Sequence, residues 1–263
     1  MSPAPAAQPN SGKQQVKILM LHGFTQSGPL FRAKTRALEK LLAKVLSPIS
    51  LTPQLVYPTA PTRLSPQDIP GFALSTDADA DAVTDLDHQP DTWAWWRRDD
   101  GSGEYLLLQR GMATIAEAIR EVGGVDGVCG FSQGGAAAGL VAAALEPERA
   151  VPEEGEAAEW VHRLREANGA RAIKFAVSYS GFRAVPESLQ FLYEPKIETP
   201  IMHYLGSLDT VVGEDRSRAF IDKCANATTV VHPGGHHVPV SKEWAMPLAG
   251  FIKHHAQDLV PKI

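Results

Sequence analysis

The chain has 263 residues, of which 44% are hydrophobic and 21% charged, and its formal net charge is −5. That balance suits a globular α/β chain of one large domain or two small ones, and the lack of a basic tract argues against nucleic acid or an anionic membrane as partner. Two cysteines, Cys129 and Cys224, are too few for a secreted disulfide framework and are expected as buried free thiols.

Residues 1–15 carry Pro, Ala, Ser, Gln and Asn with no apolar signal core, and are expected as a disordered tail before a single domain over 16–263. No run of about 18 apolar residues occurs, so no membrane span is expected and the location is read as cytoplasmic. The first apolar run, Val16 to Leu21, closes on His22-Gly23 and reads as a buried strand. Leu38, Leu41, Leu42 and Val45 give a helix over Phe31 to Leu46, stopped by Pro48. A second strand falls at Leu55-Val56-Tyr57, between Pro53 and Pro58.

Residues 59–102 break this rhythm and read as an insertion. Asp77, Asp79, Asp81, Asp85, Asp87 and Asp91 crowd its middle, as expected of a solvated loop. It ends on Trp93, Trp95 and Trp96, which are costly to leave in water and therefore cover the core or line a pocket. Leu108, Met112, Ile115, Ile119 and Val122 then mark an amphipathic helix closed by Gly123-Gly124. The strand Val125 to Phe131 and the alanine-rich helix Gln133 to Leu145 follow. Residues 146–170 read as a second insertion, helical through Trp160, Val161 and Leu164. Strands are expected at 173–179, 201–205 and 229–232, with helices around Phe220-Ile221 and over Trp244, Leu248 and Phe251, where Pro247 makes a kink or marks the first turn. Strands alternating with helices imply a mainly parallel sheet covered on both faces, with ligands beyond the carboxyl ends of the strands.

Gly130-Phe131-Ser132-Gln133-Gly134 matches G-x-S-x-G between a strand and a helix, the setting of a nucleophile elbow in the α/β-hydrolase fold. The competing reading makes Ser132 a helix N-cap. A serine hydroxyl needs a base, and the base an orienting group. In this fold the order is Ser, then Asp or Glu, then His. Asp209 follows the strand at 201–205, and its competing reading is an Asx-turn residue. His236 lies in His232-Pro233-Gly234-Gly235-His236-His237 and is preferred to His237 as base; His232 ends the strand. Three close histidines also admit metal binding, but no Cys or helical H-x-x-x-H setting accompanies them, and none is assigned. For the oxyanion, the backbone N–H groups of Gln133 and Phe24 are expected as donors, with Thr25 next in line after Phe24. His22 is read as structural. The tryptophans, Trp93, Trp95 and Trp96, together with Phe182, are expected to line an apolar substrate pocket.

At these residues the chain resembles the FSH-type serine hydrolases, a family common in fungi with animal and plant relatives. The resemblance rests on Leu21 to Gly28, the elbow Gly130 to Gly135, Ser180-Gly181-Phe182, the Asp209 segment and His232 to His236, and spans residue 16 to the end. It implies esterase or thioesterase activity without metal or organic cofactor, on a small-molecule or carrier-bound acyl substrate. Some relatives release polyketide chains from carrier proteins, and that dedicated role is the alternative. A non-catalytic binding protein on the same fold is the third reading. His237 departs from the aromatic or aliphatic residue expected at that place.

Overall fold

The computed structural model describes residues 13–69 and 91–259. Residues 1–12 of the tail expected over 1–15, and the aspartates from Asp77 to Asp87, lie outside them. The first strand, β1 (Gln14–Leu21), starts two residues earlier than expected and is buried along most of its length. Its side chains alternate between two cores. Val16, Ile18 and Met20 pack on one side of the sheet, and Leu19 and Leu21 on the other.

After β1 come α1 (Gly28–Leu46) and β2 (Leu51–Val56). Pro53 lies inside β2 instead of bounding it. β2 is the edge of the sheet, where a missing ladder N–H is tolerated. Two short antiparallel pairs follow: β3 (Thr62–Arg63) with β4 (Trp93–Ala94), and β5 (Arg97–Arg98) with β6 (Tyr105–Leu106). Then come α2 (Leu108–Glu121), β7 (Gly127–Phe131), α3 (Gln133–Ala144), α4 (Glu156–Ala167) and β8 (Phe175–Tyr179). The chain closes with β9 (Ile201–Gly206), α5 (Glu214–Ile221), β10 (Ala227–His232) and α6 (Lys242–His255). Pro247 lies inside α6, beyond the first turn. The carbonyl it leaves without a helical donor belongs to Glu243, which is exposed to water.

Six strands form one parallel sheet in the order β10-β9-β8-β7-β1-β2. α1 and α6 cover one face with Phe31, Leu38, Leu248 and Ile252. α2, α3 and α4 cover the other with Met112, Leu140, Trp160 and Leu164. Every residue of α3 is buried, which explains its run of alanine and glycine: small side chains let a helix be enclosed on all sides. Within the expected insertion at 146–170, α4 packs Trp160, Val161 and Leu164 into this core. The Arg165 guanidinium donates to the carbonyls of Ala144, Glu146 and Arg149, each at 2.8 Å, and so satisfies the orphan end of α3.

The turn after α3 holds a buried ion pair. Arg149 Nη2 reaches Glu146 Oε2 at 2.5 Å, with the two side chains 1% and 11% exposed. Glu146 Oε1 also accepts the N–H groups of Glu198 and Thr199, both at 2.8 Å. Glu146→Ala leaves a buried cation uncompensated and three donors unmatched, the two N–H groups and the Thr199 hydroxyl at 3.0 Å, so it is expected to lower stability by roughly 3 kcal/mol in urea unfolding.

Candidate active site

The chain winds from β1 to β2 in one direction and from β7 through β8 and β9 to β10 in the other, so the strand order reverses between β1 and β7. Carboxyl ends of parallel strands diverge at such a point and leave a crevice. Leu21 of β1 pairs with Gly130 of β7. The turns that follow these two strands, at His22 to Gln26 and at Ser132, therefore meet at one rim.

Ser132 adopts φ 55° and ψ −116°, a backbone conformation that a residue with a Cβ rarely takes. The turn closes because its flanking glycines lack side chains. A Cβ on Gly130 would fall 1.9 Å from the Gly134 carbonyl oxygen, and one on Gly134 would fall 2.1 Å from that of Leu21. The Ser132 N–H donates to the Tyr179 carbonyl at 2.8 Å, which ties the elbow to β8. Its hydroxyl makes no capping bond to α3, so the helix-cap reading does not hold.

The Ser132 hydroxyl instead donates to His236 Nε2 at 2.9 Å, and His236 Nδ1–H donates to Asp209 Oδ2 at 2.8 Å. A carboxylate only accepts, so this contact places the imidazole proton on Nδ1 and leaves the Nε2 lone pair facing Ser132. Two further partners of Asp209 are local: its Oδ1 accepts the N–H groups of Val211 and Val212, each at 2.9 Å. The Asx-turn reading of Asp209 is thus true of one oxygen while the other holds His236. Burial raises the Asp209 pKa, but the Val212 N–H, His236, the nearby Ser180 hydroxyl and the Val211 N–H together outweigh it and hold the carboxyl below its usual range. His237 does not reach this chain of contacts; its exposed ring lies 5.1 Å from that of His232. Phe131, the second residue of the elbow, packs its ring 4.8 Å from that of His236.

Phe24 and Gln133 each lie three residues past the paired Leu21 and Gly130. The Thr25 N–H is spent on the Trp93 carbonyl at 3.0 Å, so the alternative donor of that loop is already engaged. His22 is buried and its ring is used up by the backbone. Its Nε2 accepts the Ala60 N–H at 2.9 Å, so Nδ1 carries the proton and donates to the Gly23 carbonyl at 2.8 Å. Burial, only partly opposed by the Gly23 bond and the Asp91 charge, lowers its pKa to about 4.

The tryptophans divide. Trp95 and Trp96 are 0% and 2% exposed and belong to the core, so they offer no surface to a substrate and the expectation of a pocket wall is corrected for both. They pack there because the elbow holds their backbone: Gln133 Oε1 accepts the Trp95 N–H at 2.8 Å, and Gln133 Nε2 donates to the Trp96 carbonyl at 2.9 Å. The Trp95 indole N–H donates to the His22 carbonyl at 2.9 Å. Trp93 and Phe182 are half-buried and keep exposed surface. The roles of the Gln133 side chain and of Ser180 escaped the sequence reading. Nothing in a linear pattern says that an amide will reach across to residues 95 and 96, whereas the segment Ser180-Gly181-Phe182 carried a signal of its own. Among the described residues, no group of three or more His, Cys, Asp or Glu side chains is arranged to hold a metal ion, and no helix is long and apolar enough to cross a membrane.

A serine–imidazole–carboxylate chain at the switch point of a doubly wound parallel sheet defines a serine hydrolase of the α/β-hydrolase fold. The chain belongs to the family described as serine hydrolase (FSH1), which matches residues 11–248. It is 30% identical over 245 residues to Family of serine hydrolases 2 from Saccharomyces cerevisiae, covering 92% of this chain and 96% of that one. It is 27% identical over 248 residues to Esterase OVCA2 from Danio rerio, covering 90% and 96%. The fold is also that of Zea mays acyl-protein thioesterase 2, with a TM-score of 0.53 and 18% identity over 95% of this chain and 96% of that one.

A second buried imidazole, His203 on β9, also has its pKa lowered to about 4 by burial. Each depressed histidine binds a proton in the unfolded chain before it does so in the folded one. Stability is therefore full above about pH 6.5 and falls as the pH drops towards 4, by up to about 3 kcal/mol for each of the two. Urea titrations at pH 7 and pH 4.5 check this, and His203→Phe should flatten the slope.

Proposed function

We propose that the protein hydrolyses carboxylic esters or thioesters, with Ser132 as nucleophile, His236 as general base and then acid, and Asp209 as the group that orients and charges the imidazole. The observation that carries this reading is the unbroken contact from the Ser132 hydroxyl through His236 to Asp209. His236 takes the hydroxyl proton as Ser132 Oγ bonds to the acyl carbon. The tetrahedral oxyanion is received by the backbone N–H groups of Gln133 and Phe24. The imidazolium then protonates the leaving alcohol or thiol, and the acyl-enzyme is cleared by a water that His236 deprotonates in turn. The exposed side chains of Leu208 and Val211, at 69% and 62%, flank Asp209 and support an apolar acyl group at the mouth, with Trp93 and Phe182 as further contacts. Two unpaired buried cysteines support a cytoplasmic setting.

A fluorophosphonate probe should label the wild type and leave Ser132→Ala unlabelled, and that variant should lose on the order of 10⁴ or more in turnover of a p-nitrophenyl ester. Labelling that survives the substitution would remove Ser132 from the role.

A further inference from the structure

Three arginines are grouped around Phe182 and Tyr105, on a protein whose net charge is −5. Arg216 lies on the first turn of α5, with its guanidinium 4.3 Å from the centre of the Phe182 ring. Arg98 is opposite Tyr105 in the β5–β6 pair. Arg183 follows Phe182 directly. Among the described residues none of the three lies within ion-pair distance of a carboxylate. Of the acidic neighbours of Arg216, Glu214 pairs with Arg218 at 2.5 Å, and Asp215 turns its carboxylate towards Gly213.

Several contacts bring this cluster to the site. Ser180 approaches the Asp209 carboxylate. Gly181 packs so closely on the first turn of α3 that a Cβ on Gly135 would fall 3.0 Å from its Cα. The Ser217 hydroxyl donates to the Gly181 carbonyl at 2.8 Å and so fixes the start of α5 against the same loop. Tyr105 stacks on Trp96 at 4.9 Å, and its hydroxyl feels burial first, then the Val185 backbone, then the charges of Arg216 and Arg98. An exposed arginine usually waves in water, but one seated over a half-buried ring is pre-positioned to meet an anion.

We propose that Arg216, seated on Phe182 and assisted by Arg98, selects substrates that carry an anionic oxygen group, such as a carboxylate, set apart from the scissile carbonyl. This inference rests on the hydrolase reading above. The anion can belong to the acyl part or to the leaving group, and two substrate pairs separate these sources. One compares the mono-p-nitrophenyl ester of glutaric acid with p-nitrophenyl valerate. The other compares 4-carboxyphenyl butyrate with 4-carbamoylphenyl butyrate.

In at least one pair, the anionic-to-neutral ratio of kcat/KM should fall about three- to tenfold in Arg216→Gln relative to wild type, with Arg216→Lys in between. The wild-type ratio should also fall as NaCl rises from 10 mM to 500 mM, a readout that needs no variant to fold. Ratios in both pairs that are the same in wild type and Arg216→Gln, and indifferent to salt, overturn the proposal. Hydrolysis of the neutral esters with no such preference defeats this inference alone, whereas failure to hydrolyse any of the four defeats the reading beneath it.

Discussion

The backbone at Ser132 is the constraint on which the site depends. A residue with a Cβ is held at φ 55° between a strand and a helix, and the cost of that conformation is of order 1–3 kcal/mol. It persists because everything around it is already fixed. Gly130 and Gly134 let the turn close onto β1, the Tyr179 carbonyl holds the Ser132 N–H, and the enclosed helix α3 locks the downstream side. The strain delivers a hydroxyl above the carboxyl edge of the sheet, where the reversal in strand order has opened a crevice.

That same elbow organises the return of the long excursion. Gln133 spends its side-chain amide on the chain at residues 95 and 96. Trp95 then fills the space beneath His22, with ring centres 5.0 Å apart, while its indole N–H takes the His22 carbonyl. Trp93 bonds back to Thr25 and Gln26, so the loop expected to supply an oxyanion donor is held by the excursion on one side and by the sheet on the other. The tryptophans shape the site from below. Aromatic bulk so close to a nucleophile motif suggested a substrate wall, but burial, not contact with ligand, accounts for Trp95 and Trp96.

What the sequence made legible follows from how local the signals are. The central strands were readable because both faces are buried and the runs are short and apolar. Ser132, Asp209 and His236 were readable because each sits just past a strand in the order that the fold demands. Errors fell where tertiary context decides. Pro53 read as a strand boundary because periodicity cannot tell an edge strand from a central one, and β2 is an edge. Residues 146–170 read as an insertion, and their acidic start hid how deeply the apolar stripe of α4 is buried, with Trp160 and Leu164 in the core. The Gln133 bridge and the seat of Arg216 on Phe182 link residues 37 or more and 34 positions apart respectively, and no local pattern encodes either.

Two imidazoles near one crevice illustrate how surroundings divide labour. His22 stands beside the nucleophile turn and, by type alone, is as good a base as His236. Its environment removes that capacity: both ring nitrogens are bonded to backbone groups, and burial drives its pKa to about 4, so no lone pair faces the crevice. His236 has one nitrogen committed to a carboxylate kept ionised by backbone donors, which leaves the other to the serine. Exchanging the two settings would leave the composition of the site unchanged and abolish its chemistry. In the proposed mechanism the triad is therefore a property of what each imidazole nitrogen is bonded to, and Asp209, by fixing that for His236, is the residue that turns a nearby histidine into a base.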